Sequence, residues 1–343
     1  MKHELYMQRC IELAQNGAGN VSPNPMVGAV VVYDDKIIGE GYHQLYGETH
    51  AEVNAIKAVK DKSLLSRATI YVSLEPCAHF GKTPPCCDLI IESKIPNAVI
   101  GCRDSYTEVD GKGIERLRKA GVNVIFGVLE KDCLDLNRRF FTFHEKKRPY
   151  IILKWAQSQD GFMDKIRTDT CPTINWITHP NTKQLTHKWR SEEDAILIGK
   201  NTAINDNPAL TTRAVDGKNP VRIVIDRKLE LSKDLNIFNP GAKTIILNEL
   251  KNQENESILY RKVFFTSFFD DLWTICAENS ITSLIVEGGA FTLNQFLEND
   301  LWDEIRVLTG KPFFSEGVKA PQLNIKPAEK FTFGKDKITY YTK

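Results

Sequence analysis

Residues 50–52 read His50-Ala51-Glu52, and residues 74–90 read LEPCAHFGKTPPCCDLI. These two stretches decide the reading of the first half of the chain. His50 opens a run, Ala51 to Val59, with Ala51, Ala55, Ala58 and Val59 at helical spacing. Cys86 precedes a second short helical run, Cys87 to Glu92. Helix N-termini stabilise thiolates and aim side chains into a shared cleft. Thr69 to Leu74 (TIYVSL) has the β-branched and aromatic character of a strand, and it delivers Glu75-Pro76-Cys77. One histidine and two cysteine thiolates hold zinc tetrahedrally and leave one position open for water. The metal lowers that water's pKa toward neutrality. Glu52, two residues after His50, reaches the same water and relays its proton without binding the metal. The set His50, Cys77, Cys86 and Glu52 thus suits hydrolytic removal of an amino group from a nucleobase. Cys87 and His79 are rival ligands within the same stretch.

Outward from this centre the chain alternates strand and helix. Met1 to Gln15 has Tyr6, Cys10, Leu13 and Ala14 on one helical face, and Glu4, Gln8, Arg9 and Glu12 break any signal-peptide core. Ala29 to Tyr33 (AVVVY) is a continuous apolar run, expected to be a strand buried on both faces. Ala98 to Gly101 and Val122 to Phe126 are further strands around a helix near Ile114 to Ala120, which Gly121 stops. His144 to Pro149 (HEKKRP) reads as a linker. After it, strands are expected at Tyr150 to Lys154, Ala195 to Gly199, Val221 to Asp226, Thr244 to Leu247, Val263 to Thr266 and Leu284 to Val286. A helix from Thr292 to Asn299 follows the last of them. No Gly-Xaa-Gly-Xaa-Xaa-Gly follows a strand in this half. Its best local sign is Val286-Glu287-Gly288-Gly289-Ala290, where a strand ends, two glycines follow and a helix begins. That arrangement suits a phosphate at a helix N-terminus, and equally an ordinary tight turn.

Two features of these stretches resemble the zinc-dependent cytidine and deoxycytidylate deaminase superfamily: HAE, and Pro-Cys after a strand. The usual Cys-Xaa-Xaa-Cys pair is replaced by eight residues, AHFGKTPP, between Cys77 and Cys86. With Asn24-Pro25-Met26-Val27-Gly28 and Gly41-Tyr42-His43, that insertion resembles the deaminase half of the bifunctional riboflavin-biosynthesis deaminase/reductase family. In the second half KWAQSQDG (154–161), Asn175-Trp176-Ile177-Thr178, GKNTAINDNPALTTR (199–213), RIVIDR (222–227) and VEGGA follow the order of that family's reductase half. The resemblance covers essentially the whole chain.

It implies an α/β architecture in two parts. A cytidine-deaminase-like three-layer α/β/α domain, 1–145, precedes a dihydrofolate-reductase-like α/β domain, 149–343. The family favours Cys86 over Cys87 as third ligand. Asn24, His43 and Lys82 match its deaminase substrate pocket. Ala156, Trp176, Thr202 and Asp206 match cofactor positions, with Gly288, Gly289 and Ala290 at the cofactor phosphates, and Arg227 beyond its strand is placed to face the cofactor. Arg190, Leu210, Arg213 and Glu287 match the reductase substrate pocket. The implied cofactors are Zn2+ and NADPH, and the implied substrate is a phosphorylated pyrimidine. Deamination would be followed by reduction of a ribosyl group to ribityl, and the assembly would be a homo-oligomer. One departure stands out: Ile174 occupies a place two before Trp176 where a small polar residue is usual.

Composition narrows the alternatives. The chain has 343 residues, so two domains are the expectation. Lys and Arg total 45 against 44 Asp and Glu, a net charge of +1, which disfavours a nucleic-acid surface and a tRNA-directed deaminase. No apolar run reaches the ~18 residues of a membrane span. Eight cysteines are too few for a disulfide scaffold in a chain this long, and without an export signal they are expected as thiols in the cytoplasm. A closed structural zinc module would need no Glu52.

Overall fold

The computed structural model describes residues 2–80, 84–104, 111–167 and 174–343. The chain divides into two compact units, Met1–Lys147 and Arg148–Lys343.

In the first unit α1 (Lys2–Gln15) leads to a hairpin of β1 (Gly28–Tyr33) and β2 (Lys36–Tyr42). Asp34 and Asp35 turn it at φ of 50° and 58°, a conformation short polar side chains tolerate. Then come α2 (Ala51–Ala58), β3 (Thr69–Leu74), α3 (Cys86–Glu92), β4 (Asn97–Cys102), α4 (Lys112–Lys119), β5 (Asn123–Phe126), α5 (Glu130–Leu136) and α6 (Arg138–Lys146). The sheet order is β2-β1-β3-β4-β5. β1 is antiparallel to β2 and β3, and β3, β4 and β5 are parallel.

Alternation along the strands builds two cores. Ala29, Val31, Ile70, Val72, Ala98 and Ile100 pack with Ala55 and Ile56 of α2, Ile90 of α3 and Leu117 of α4. Val30, Val32, Tyr71 and Val99 face the other way, onto Met7 and Cys10 of α1, Cys133 of α5 and Phe141 of α6. The unit is therefore a three-layer α/β/α sandwich, and each fully buried aliphatic contributes about 1.5–3 kcal/mol of transfer free energy.

The second unit holds β6 (Tyr150–Gln157), β7 (Phe162–Asp164), α7 (Pro180–Glu192), β8 (Ala195–Gly199), α8 (Lys200–Asp206), β9 (Val221–Ile225) and β10 (Thr244–Asn248). β11 (Gln253–Glu254), β12 (Ile258–Lys262), α9 (Phe268–Glu278), β13 (Ser283–Val286), α10 (Ala290–Glu298) and β14 (Glu304–Thr309) follow. β15 (Val318–Lys319), β16 (Glu329–Phe333) and β17 (Asp336–Thr342) complete it. Ten strands form one sheet, β11-β12-β10-β9-β8-β13-β6-β14-β17-β16, and β7 pairs with β15. From β12 to β14 every pairing is parallel. One face packs Leu153, Leu197, Ile223 and Ile245 against α9 and α10 through Leu272, Leu293 and Phe296. The other packs Ile152, Ile196, Ile198 and Val224 against Trp189 of α7 and Ala203 of α8. In parallel sheets of this kind, ligands bind beyond the C-terminal strand ends.

Three expectations are corrected. The stretch read as a linker starts inside α6, which runs through Lys146 before Lys147 turns at φ 54°. The strand expected at Val263 to Thr266 is instead β12, five residues earlier at its start. Val263 is the last buried residue there, and Phe264 is 62% exposed. The chain then turns into α9, because the Phe264 N–H is captured by Asp271 Oδ2 at 2.7 Å in that helix's first turn. The final predicted helix begins at Ala290 rather than Thr292, directly on the glycine turn.

Candidate functional site

In the first unit His50 is the N-cap of α2, with extended backbone (φ −72°, ψ 164°), so its side chain projects from the helix mouth. Glu52 lies in the first turn and is buried. Cys77 follows β3 in the Glu75-Pro76-Cys77 loop, and Cys86 opens α3. The backbone N–H of Cys86 donates to Cys77 Sγ at 3.3 Å, and that of Cys87 donates to the Cys77 carbonyl at 3.2 Å, which fastens the loop to the helix mouth.

Glu75 fixes the other side of the loop. Its buried carboxylate accepts backbone N–H groups of Gly111 and Ile114, each at 3.1 Å, at the start of α4.

His50 Nδ1 stands 3.7 Å from Cys77 Sγ and 3.3 Å from Cys86 Sγ. The ligand atoms of the three residues all lie within 4.8 Å of one another, the one such grouping of His, Cys, Asp and Glu among the described residues. Usual zinc–nitrogen and zinc–sulfur lengths at tetrahedral angles put nitrogen and sulfur about 3.6 Å apart. The donor set therefore fits zinc in both chemistry and spacing. Hydrogen bonding from Cys86, then from His50, holds the Cys77 thiol well below its ordinary pKa. Burial pushes the Glu52 carboxyl up to about 7. Cys87, in contrast, turns its thiol to the Pro76 and Gly113 carbonyls at 3.2 and 3.5 Å.

Asn24 and His43 adjoin this centre. The His43 ring meets the His50 ring edge-on, with centroids 5.5 Å apart. Asn24 Nδ2 donates to His43 Nε2 at 3.2 Å, so His43 Nδ1 carries the proton and donates to the Thr49 carbonyl at 3.2 Å. Burial lowers the His43 pKa, which keeps this tautomer neutral. Lys82 lies outside the described residues.

In the second unit a cavity of about 1190 Å³ opens beyond the ends of β8, β9 and β13. Thr202, Asp206, Arg227, Glu287, Gly288, Gly289 and Ala290 all line it. A Cβ on Gly288 would stand 3.0 Å from Thr292 Cβ and 3.2 Å from the Gly199 nitrogen, so this turn accepts only glycine without rearrangement. Ile174, the departure noted in the sequence, also lines the cavity.

Five expected residues lie off its wall. Trp176 is 58% exposed and lies under Lys183, whose Nζ is 4.7 Å from the ring centroid. Ala156 packs at the margin of the core facing α7. Leu210 is buried with φ 53°. Arg213 Nη1 donates to Thr211 Oγ1 at 3.4 Å. Arg190 grips Glu287 from behind with two hydrogen bonds of 3.0 and 2.6 Å.

Lys154 was missed as a site residue. It stands beside the strand register Val286↔Leu153 and reaches Glu287 at 3.5 Å. Its one sequence sign was a cation in an otherwise apolar central strand. Burial alone would push Glu287 up, but Arg190 and Lys154 outweigh it and hold the carboxyl at about 2. Asp206 goes the other way. Burial raises it to about 6, against the pull of Arg167 at 3.1 Å.

A mixed sheet between two helical layers, with a His–Cys–Cys donor set and a buried glutamate at helix mouths, defines a zinc-dependent deaminase. Residues 1–102 match the family of the cytidine and deoxycytidylate deaminase zinc-binding region, and residues 149–335 match the RibD C-terminal domain. The riboflavin biosynthesis protein RibD of Aquifex aeolicus is 40% identical over 94% of this chain and 91% of its own. That of Escherichia coli is 33% identical over 90% and 87%. A solved Thermotoga maritima structure, described as a diaminohydroxyphosphoribosylaminopyrimidine deaminase/5-amino-6-(5-phosphoribosylamino)uracil reductase, superposes with a TM-score of 0.89. It is 36% identical and covers 99% of this chain and 98% of its own. The chain belongs to the RibD family of bifunctional riboflavin-biosynthesis enzymes. It is a deaminase and a reductase in one polypeptide, with zinc and NADPH as cofactors. No helix among the described residues is long and apolar enough to cross a membrane.

Proposed function

We propose that residues 1–145 remove the 2-amino group of 2,5-diamino-6-ribosylamino-4(3H)-pyrimidinone 5′-phosphate. Residues 149–343 then reduce the ribosyl group of the product to ribityl, giving 5-amino-6-ribitylamino-uracil 5′-phosphate. The observation that carries this reading is the convergence of His50, Cys77 and Cys86 beside the buried Glu52. The name of the Thermotoga relative supports the choice of substrate.

His50, Cys77 and Cys86 would hold the zinc. Bound zinc supplies Lewis acidity, which makes water nucleophilic near neutral pH. Glu52 takes the proton of the attacking water and passes it to the leaving amine, so that water enters and ammonia departs as the ring carbonyl forms. Asn24 and the neutral His43 orient the heterocycle, and Lys82 pairs with the phosphate.

In the reductase Gly288, Gly289 and Ala290 receive the cofactor phosphates at the mouth of α10, and Thr202, Asp206 and Arg227 line the same cavity. Ala156 and Trp176 complete the cofactor set. Bound NADPH supplies the hydride, and the chain's work is to place it against C1′ of the opened ribose. Arg190, Leu210, Arg213 and Glu287 form the substrate pocket, with the arginines directed to the 5′-phosphate. Glu287, held at about 2, only accepts hydrogen bonds near neutral pH. Asp206, at about 6, is the carboxyl able to carry the proton that accompanies the hydride.

A cytoplasmic homo-oligomer acting on this small molecule, without nucleic acid, completes the proposal. The test is a coupled assay with the diamino substrate, zinc and NADPH. Ammonia and NADP should form in equal amounts. Ammonia without NADP, or NADP with no ammonia, would refute the two-step reading.

A further inference from the structure

Arg167 follows the short strand β7, and its side chain is largely buried. Its Nε donates to Asp164 Oδ2 at 2.9 Å, Nη1 to the Asn205 carbonyl at 3.2 Å and Nη2 to Asp206 Oδ1 at 3.1 Å. Asp164 is itself steadied, because its other oxygen accepts from Asn175 Nδ2 at 2.6 Å. Asp164, Asn175, Asn205 and Asp206 line the large cavity of this unit, and Arg167 does not. One cation behind the wall thus fastens β7 to the C-terminal end of α8, where the last helical carbonyls lack intrahelical donors. Two carboxylates share that cation. Burial raises the Asp206 carboxyl to about 6, Arg167 opposes the rise, and Asp164 adds to it. Lys200, Arg227, Lys228, Glu230, Asp270 and Glu287 also line the cavity, and none of them contributes to that balance.

We infer that Arg167 is a positioning residue of the reductase: it holds the Asp206 carboxyl at the cavity wall and sets the pH range in which that group gives a proton to the reduction. The inference rests on reading Asp206 as the proton carrier. In that step hydride passes from NADPH to C1′ of the imine formed by ring opening. The C=N electron pair moves to nitrogen, and nitrogen takes the Asp206 proton. NADP is released, and solvent reprotonates Asp206. Only the protonated carboxyl serves, so the rate falls as pH rises through its pKa. Removing an opposite charge at this range raises a carboxyl pKa by about 1–3. The Asp206 side chain is 37% exposed, so the lower end is expected, about one pH unit or tenfold in protonated fraction.

The test uses the full-length enzyme carrying isotope-labelled aspartate carboxyls, titrated by NMR. The Asp206 signal is identified by its loss in Asp206→Asn. Its midpoint should rise by about one pH unit in Arg167→Gln. It should fall in Asp164→Asn, which leaves Arg167 to Asp206 alone, and stay near wild type in Arg167→Lys, which keeps the charge. The falling limb of NADPH oxidation against pH, with the deaminated substrate, should shift the same ways. A general loosening of the fold would not move Arg167→Gln and Asp164→Asn in opposite directions. A midpoint that stays put in Arg167→Gln overturns the role of Arg167. Should that variant not fold, an unmoved midpoint in Asp164→Asn overturns the shared-cation arrangement on which the role depends. Midpoints that move while the limb stays fixed overturn the reading of Asp206 instead, and the role of Arg167 in the reaction falls with it.

Discussion

Glu287→Gln tests whether one buried carboxylate organises the reductase pocket. Glu287 is held between Arg190 and Lys154, whose own side chains are also largely buried. Its carboxyl falls from an ordinary 4.5 to about 2 on folding, despite the burial that opposes this. At about 1.4 kcal/mol for each tenfold in proton affinity, that is roughly 3 kcal/mol of stability at neutral pH. Breaking a buried ion pair by removing one partner costs a similar ~3–5 kcal/mol, because the cations left behind have lost their partner. The sign follows from the depressed pKa. The contribution is complete above about 4.5 and is lost as pH falls toward 2. The chain provides its own reporter, since all five tryptophans, Trp155, Trp176, Trp189, Trp273 and Trp302, lie after residue 148. Urea unfolding followed by tryptophan fluorescence therefore reads the second unit alone. The gap between wild type and Glu287→Gln should be roughly 3 kcal/mol from pH 7 to 5, then shrink by about 1.4 kcal/mol per pH unit below 4.5. Equal stabilities at pH 7, or a gap that stays flat down to pH 3.5, would refute the role given to the Arg190–Glu287–Lys154 cluster.

Other expectations concern both centres. Cys77→Ala should lose about one zinc per chain by metal analysis, since it removes one of three ligands; retention of the metal would remove this residue from the site. Glu52→Gln should keep zinc and lose ammonia release by about 10²–10⁴-fold, while NADPH oxidation with the deaminated intermediate continues. Loss of both activities together would argue against separate centres. Gly288→Val brings a branched side chain within 3.0 Å of Thr292 Cβ, so NADPH should raise the melting temperature of wild type and leave that of the variant unchanged. An unchanged thermal shift would place the cofactor elsewhere.

The elements legible in the sequence are those where local pattern and burial coincide. β1 and β3 are continuous apolar runs because both of their faces are covered, and α2 and α3 declare themselves because the ligands open them. β2 was not legible. Its sequence KIIGEGY carries glycines at 39 and 41 where a Cβ would meet the backbone of Ala55 at 2.4 and 2.5 Å, so close helix packing erased the strand signal. α7, PNTKQLTHKWRSE, was missed because few of its residues are apolar. α9 was missed because Phe264 to Phe269 looks like strand when read without Asp271. Among the C-terminal strands β16 was silent because it is mostly exposed.

The two centres differ in legibility for a physical reason. A metal set needs a few residue types at short range, and helix starts place three of the four deaminase residues, so spacing along the chain nearly states the geometry. The reductase cavity is lined from the ends of β8, β9 and β13 and from α8, α9 and α10, which are far apart in sequence and adjacent only through the sheet order. Its decisive relations are the grip of Arg190 on Glu287 across 97 positions and the approach of Lys154 from a neighbouring strand. Neither leaves a periodicity or motif to read. The near-neutral total charge conceals the same point. Arg190 and Lys154 converge on the single carboxylate of Glu287, so a local excess of positive charge sits inside a chain whose net charge is +1. Anion recognition here is a matter of where the charges are buried, not of how many there are.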